Sequence, residues 1–94
     1  MAAPKVCIVV GGAFGGLACI HHLLATTRAE ELDIVLVEPK DFFEYTPGVL
    51  RAFVEPEHLK RISFKLSSLP ARVQHCQGWL HSIKPDSNTI IVQK

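Results

Sequence analysis

Residues 5 to 38 read K-V-C-I-V-V-G-G-A-F-G-G-L-A-C-I-H-H-L-L-A-T-T-R-A-E-E-L-D-I-V-L-V-E, and this stretch decides the fold. It opens with Lys5 to Val10, a continuous β-branched run bounded by glycine, the pattern of a strand buried on both faces of a parallel sheet. From Leu17 to Thr27, apolar residues at Leu17, Ile20, Leu23 and Leu24 recur at helical spacing. Arg28 to Glu31 is a polar connection, and Asp33 to Glu38 is a second apolar strand stopped by Pro39. Strand, tight turn, helix and strand make a βαβ unit, whose crossover is right-handed in nearly every known case.

Beyond Pro39 the pattern weakens. Pro47, Pro56 and Pro70 interrupt it, which predicts short helical pieces over Pro47 to Phe53 and Glu57 to Ile62, joined by loops. Val73 to Gln77 reads as a strand. Leu80 to Ile83 and Thr89 to Val92 read as a hairpin around the turn Pro85-Asp86-Ser87-Asn88. The expected fold class is α/β: a Rossmann-like βαβ unit with a parallel sheet, then short helices and a β-hairpin, with residues 1–94 forming part of one domain.

Four of the six glycines fall between Gly11 and Gly16, after a strand and before a helix. A turn tightened by glycine aims the first amides of the helix, and the positive end of its dipole, at one point where a pyrophosphate can sit. In the dinucleotide fingerprint the first glycine makes the turn, the second admits the phosphate and the third lets helix and strand pack closely. Gly11 and Gly16 take the first and third places, while Ala13 takes the second, where its methyl group narrows the approach and disfavours positive φ. Gly12, Phe14 and Gly15 complete the loop. Glu38 follows Gly16 by 22 residues at the carboxyl end of the second strand, where an acid accepts hydrogen bonds from the adenosine ribose. Its charge repels a 2′-phosphate, so FAD or NAD is expected rather than NADP. The alternative is a glycine-rich turn in an ordinary α/β protein, with Glu38 a solvated strand end.

The stretch V-C-I-V-V-G-G-A-F-G-G-L-A, with Val35 to Pro39 and Phe42-Phe43-Glu44-Tyr45-Thr46-Pro47, resembles the amino terminus of the pyridine nucleotide-disulphide oxidoreductase superfamily. Within it, Leu50 to Glu55 looks like the apoptosis-inducing-factor-like and ferroptosis-suppressor quinone reductases, with the type II NADH dehydrogenases close by. The resemblance implies a FAD-linked enzyme that takes hydride from NADH or NADPH and passes electrons to a quinone or similar acceptor. Carried over by position, Gly11, Gly12, Ala13, Phe14, Gly15 and Gly16 would hold the FAD pyrophosphate. Glu38, with the adjoining Pro39 and Lys40, would take the adenosine side. Arg51 would contact the flavin side, the main chain of Leu80 would touch the adenine, and Thr46 and Pro47 would lie near the isoalloxazine. Against the family pattern the chain stops at Lys94, before the Ala-Thr-Gly segment and the NAD(P)H-binding domain, so an amino-terminal portion without turnover of its own is expected.

Composition narrows the field. With 48% hydrophobic and 20% charged residues the chain has the makeup of a protein that buries a core. The net charge of +1, from ten basic and nine acidic residues, makes nucleic acid or an anionic membrane a poor partner. Cys7, Cys19 and Cys76 are odd in number and in no metal-like spacing, so no metal site or disulfide is expected and a reducing, cytoplasmic setting fits. The sequence shows no signal peptide, and its apolar stretches fall short of the ~20 residues of a transmembrane helix. His21 and His22 are adjacent on a helix and point about 100° apart, so they read as surface residues. Trp79, Phe42, Phe43 and Tyr45 read as packing residues, and aromatic surface left open favours self-association. No general acid, base or nucleophile is named by the sequence. Two other readings stand beside the flavoenzyme: a small stand-alone module that binds a dinucleotide without turnover, and part of an NAD-dependent Rossmann dehydrogenase. The proline-broken segment from Pro39 to Pro70 argues against the latter, because a regular crossover helix is expected there.

Overall fold

A computed structural model describes residues 3–44, 49–58, 60 and 63–94. In chain order its elements are β1 (Lys5–Val10), α1 (Phe14–Thr26), β2 (Leu32–Val37), β3 (Phe42–Glu44), α2 (Val49–Val54), β4 (Ser63–Lys65), β5 (Val73–Cys76), β6 (Trp79–Lys84) and β7 (Thr89–Gln93). β2 lies at the centre of a three-stranded parallel sheet of order β1-β2-β5. Its register runs from Lys5 opposite Leu32 to Val10 opposite Val37 on one side, and from Ile34 opposite Val73 to Val37 opposite Cys76 on the other. This is the expected α/β, Rossmann-like βαβ architecture.

Alternation along the strands builds the core. Val9 of β1, Ile34 and Leu36 of β2 and Val73 of β5 point to the face covered by α1, where they meet Ile20 and Leu66. Leu17, Leu23 and Leu24 of α1 pack around them, as their spacing predicted. Each fully buried aliphatic side chain here contributes roughly 1.5–3 kcal/mol relative to exposure. α1 begins earlier than expected, at Phe14, so Gly15 and Gly16 belong to its first turn. It ends where the amide and hydroxyl of Thr27 both donate to the Leu23 carbonyl, at 3.0 and 2.7 Å. His21 and His22 are exposed.

The sheet's other face corrects the reading of Lys5 to Val10 as buried on both sides. Val6, Ile8 and Val10 are 59%, 40% and 49% exposed, because α1 covers only the opposite face. β1 is one edge of the sheet among the described residues, which accounts for the same exposure.

The segment from Pro39 to Pro70 also departs from its expected form of short helices and loops. β3 and β4 pair antiparallel, with Phe43 opposite Phe64 and their rings 5.2 Å apart. Phe14 packs edge-on against Phe43 at 5.7 Å. Three-residue strands carry too little alternation to be read from sequence; the aromatic contacts made across the chain select them. α2 overlaps the first predicted helix and ends one residue beyond it, at Val54. Of the second, Pro56–His58 forms a single 3-10 turn, and Leu59, Arg61 and Ile62 lie outside the described residues.

β6 and β7 form the predicted hairpin, with an irregularity between Leu80 and Ser82. The turn closes on Asn88 in the left-handed region at φ 56°, a conformation that asparagine tolerates better than most residues. The radius of gyration, 15.4 Å, exceeds the roughly 12 Å of a compact domain of this length.

Arg72, which the sequence did not mark, ties the unit together. Its guanidinium donates to the carbonyls of Thr27 at 2.8 Å, Arg28 at 3.0 Å and Leu32 at 3.3 Å, and to the Thr27 hydroxyl. One planar fork thus joins the end of α1, the polar connection and the start of β2 to the approach to β5.

Candidate functional site

The site forms where β1 ends, α1 begins and β2 ends. Gly11 adopts φ +104°, a conformation that glycine takes without steric cost, and its amide donates to the Val37 carbonyl at 2.8 Å. The chain turns there into α1. At the third fingerprint position, a Cβ built on Gly16 would lie 1.8 Å from the Gly11 carbonyl oxygen, so only glycine allows helix and turn to approach this closely.

Ala13 corrects an expectation. It sits at φ −101° and ψ −154°, an extended conformation open to any residue, so its methyl group imposes no backbone strain. Its carbonyl accepts the Leu17 amide at 3.0 Å, the first hydrogen bond of α1. The N-cap residue, Ala13, makes no side-chain capping bond, and amides in a first helical turn have no intrahelical acceptor.

Glu38 is the acid of the site, and it is not a solvated strand end. It is 7% exposed, the buried charged residue among those described. Strand alternation explains its direction: Ile34, Leu36 and Glu38 share one face of β2, and past the end of the core that face meets the glycine loop. One carboxylate oxygen, Oε1, accepts the Gly12 amide at 2.8 Å, and Oε2 accepts the Lys40 amide at 3.0 Å. A Cβ on Gly12 would lie 2.9 Å from Glu38 Cγ, so the glycine at this position is set by the acid across from it. Each oxygen carries a second lone pair beyond these bonds. The carboxylate also lies beside the start of α1, where the helix dipole favours negative charge.

The turn from β5 to β6 closes the site from the other side. The Glu38 carbonyl accepts hydrogen bonds from His75 Nε2 at 2.9 Å and from the Gly78 amide at 3.3 Å, and Gln77 Nε2 donates to the Pro39 carbonyl at 3.0 Å. A cleft of about 560 Å³ opens beside this turn between Pro39, Gln77, Trp79 and Lys94, with Trp79 67% exposed. A larger cleft of about 640 Å³ lies against the open face of β1, between Ile8 and the hairpin, and includes neither the glycine loop nor Glu38.

Of the residues that the sequence marked, Gly11, Gly12, Gly16, Glu38 and the main chain of Lys40 meet in one place. Ala13 and Gly15 border it at the start of α1. Phe14 contributes main chain to the loop, while its ring packs on Phe43. Pro39 and Leu80 flank the β5–β6 turn. Arg51 stands apart on α2, exposed and paired with Glu55 at 3.3 Å. Thr46 lies outside the described residues. His75 and Gln77 were missed, because a histidine and a glutamine in a short strand carry no motif of their own.

No three His, Cys, Asp or Glu side chains cluster in a way that could hold a metal ion among the described residues. Among the same residues, no helix is long and apolar enough to cross a membrane.

No family model matches the chain, and no curated protein matches it. Among solved structures, it is similar to the sulfide:quinone oxidoreductase of the hyperthermophilic bacterium Aquifex aeolicus, with a TM-score of 0.82 and 28% sequence identity. The alignment covers 95% of this chain and 21% of that one, so the chain spans about a fifth of the structure it matches. The likeness supports the superfamily that the sequence resembles and does not separate the branches within it.

Proposed function

We propose that this chain binds the ADP half of FAD and forms part of the FAD-binding domain of a flavoprotein oxidoreductase. The observation that carries the reading is the 2.8 Å bond from the Gly12 amide to Glu38 Oε1, which joins the glycine turn and the strand-end acid into one site. The residues fit the cofactor. The loop from Gly11 to Gly16 and the start of α1 would hold the pyrophosphate, and the remaining lone pairs of Glu38 would accept the adenosine ribose hydroxyls. Pro39, Lys40 and the main chain of Leu80, on either side of the β5–β6 turn, would border the adenine. The placement of Arg51 and Thr46 on the flavin side rests on the resemblance alone.

When bound, FAD supplies the electron-transfer chemistry, and the protein supplies binding, orientation and electrostatics. In the whole enzyme we assign NADH or NADPH as donor, on the sequence resemblance alone, and a quinone-type compound as acceptor, a reading supported by the resemblance and by the likeness to a sulfide:quinone oxidoreductase. The open apolar face formed by Val6, Ile8 and Val10 is consistent with a domain that needs more polypeptide over it than these residues supply.

Titration of the chain with FAD, followed by flavin absorbance and fluorescence, tests the proposal. Saturable binding that weakens about tenfold in Glu38→Ala is the expected result, the loss of charge-assisted hydrogen bonds to the ribose. Binding of NAD with none of FAD would favour a nicotinamide dehydrogenase instead, and binding of neither would refute the site.

A further inference from the structure

We propose that His75 is the positioning residue of the site: it fixes the Glu38 carboxylate for the adenosine ribose, an inference that rests on the reading of Glu38 given above. The parallel ladder between β2 and β5 ends with Val37 opposite Cys76, so Glu38 lies one residue past the last paired position. Its backbone is held instead by the β5–β6 turn. The Glu38 amide donates to the Cys76 carbonyl at 3.3 Å, and the Glu38 carbonyl accepts the Gly78 amide at 3.3 Å and His75 Nε2 at 2.9 Å. The side-chain bond is the shortest of the three.

A carbonyl oxygen only accepts, so His75 must carry its proton on Nε2, an assignment made from the partner. Val73 and His75 share one face of β5 by alternation, and Val73 is in the core, so the imidazole starts from a fixed base. Its bond sets the direction of the Glu38 carbonyl, and with it the plane of the peptide from which Pro39 and Lys40 continue. Lys40 in turn donates its amide to Oε2 of the same carboxylate. The imidazole therefore acts on both ends of Glu38: on the carbonyl directly, and on the carboxylate through the turn that returns the Lys40 amide to it. His21, His22 and His81 are exposed, whereas His75 is half-buried.

The test is calorimetric titration of the full chain with ADP and with 2′-deoxy-ADP, in wild type, His75→Ala, His75→Gln, Glu38→Ala and the His75→Ala/Glu38→Ala double variant. His75→Ala should raise the Kd for ADP about fivefold to tenfold. His75→Gln, whose amide offers an N–H in a similar place, should recover most of that loss. In the Glu38→Ala background, removing His75 should change the Kd for ADP less than twofold, and the loss should shrink for 2′-deoxy-ADP. In the free protein, the Gly12 amide resonance, which reports its bond to Oε1, should move in His75→Ala and return in His75→Gln. The Gly12 resonance and the His75→Gln titration remain decisive if His75→Ala folds poorly. Equal losses for both nucleotides with an unmoved Gly12 resonance, or an unchanged Kd for ADP in His75→Ala while Glu38→Ala weakens it, would overturn the role of His75 and leave the site standing. A wild-type chain that binds no ADP would remove the site itself, and this role with it.

Discussion

Replacing Gly16 by alanine adds one methyl group at the place where α1 leaves the turn. That carbon would stand 1.8 Å from the Gly11 carbonyl oxygen and 2.9 Å from the Gly11 carbonyl carbon, both of them backbone atoms that no rotamer change can move aside. Overpacking of this kind costs about 1–3 kcal/mol in cores where side chains can adjust, so a value near the upper end, about 3 kcal/mol, is expected. The helix preference of alanine over glycine offsets roughly 0.5–1 kcal/mol of this. The net loss of about 2 kcal/mol lowers Tm by roughly 8–16 °C in a domain of this size. Gly15, one residue earlier in the same turn, provides the control: a Cβ there meets nothing within 4 Å and φ lies outside the left-handed region. Gly15→Ala should therefore gain about 0.5 kcal/mol and raise Tm by about 2–4 °C. Thermal unfolding followed by circular dichroism at the helix band measures both. A Gly16→Ala variant as stable as wild type would show that helix and turn are not in this close contact, and equal damage from the two substitutions would show that glycine is needed here for flexibility rather than for room.

Two further outcomes follow from the same structure. Arg72→Ala leaves the Thr27, Arg28 and Leu32 carbonyls without their charged donor, and should cost about 1.5–3 kcal/mol in chemical denaturation; Arg72→Lys should recover less than half, because one ammonium cannot reproduce the fork, and full recovery would mean that charge alone matters. Glu31 is held below the usual carboxylate range chiefly by the hydrogen bond from the Arg28 side chain, then by that from the Arg28 amide. Because its folded value lies below its unfolded one, the contact's contribution is complete above the unfolded value and fades as pH falls through the folded one. Both groups are exposed, so the effect is small and screened by salt. The Tm difference between wild type and Glu31→Gln, small at neutral pH, should close on acidification and in high salt, and a difference that grows towards acid would reverse the sign of this argument.

Local signals made the βαβ unit readable. Lys5 to Val10 needs only its β-branched run and the glycine after it, and Leu17, Ile20, Leu23 and Leu24 need only their spacing, since each pattern reports the geometry of its own backbone. The hairpin was legible for the same reason, through Pro85 to Asn88. β3 and β4 were not, because three residues are too few to show a period and their pairing depends on Phe43 meeting Phe64 across an intervening segment. The outer face of β1 was misread because a run of valine and isoleucine records that a strand prefers burial, and says nothing of whether a layer lies above it.

The site divides along the same line. Sequence by itself determined the parts: a glycine turn between strand and helix, and an acid at the end of the next strand, each dictated by short-range backbone demands. Tertiary structure alone decided how they meet. The sheet register sends Glu38 to Gly12, 26 residues away, and brings His75 to the Glu38 carbonyl, 37 residues away. It also lays the Arg72 guanidinium over the end of α1, 44 to 45 residues away. Such contacts are set by which face of each strand turns toward α1 and by where the β5–β6 turn falls, and both follow from packing rather than from any one residue's neighbours in the chain.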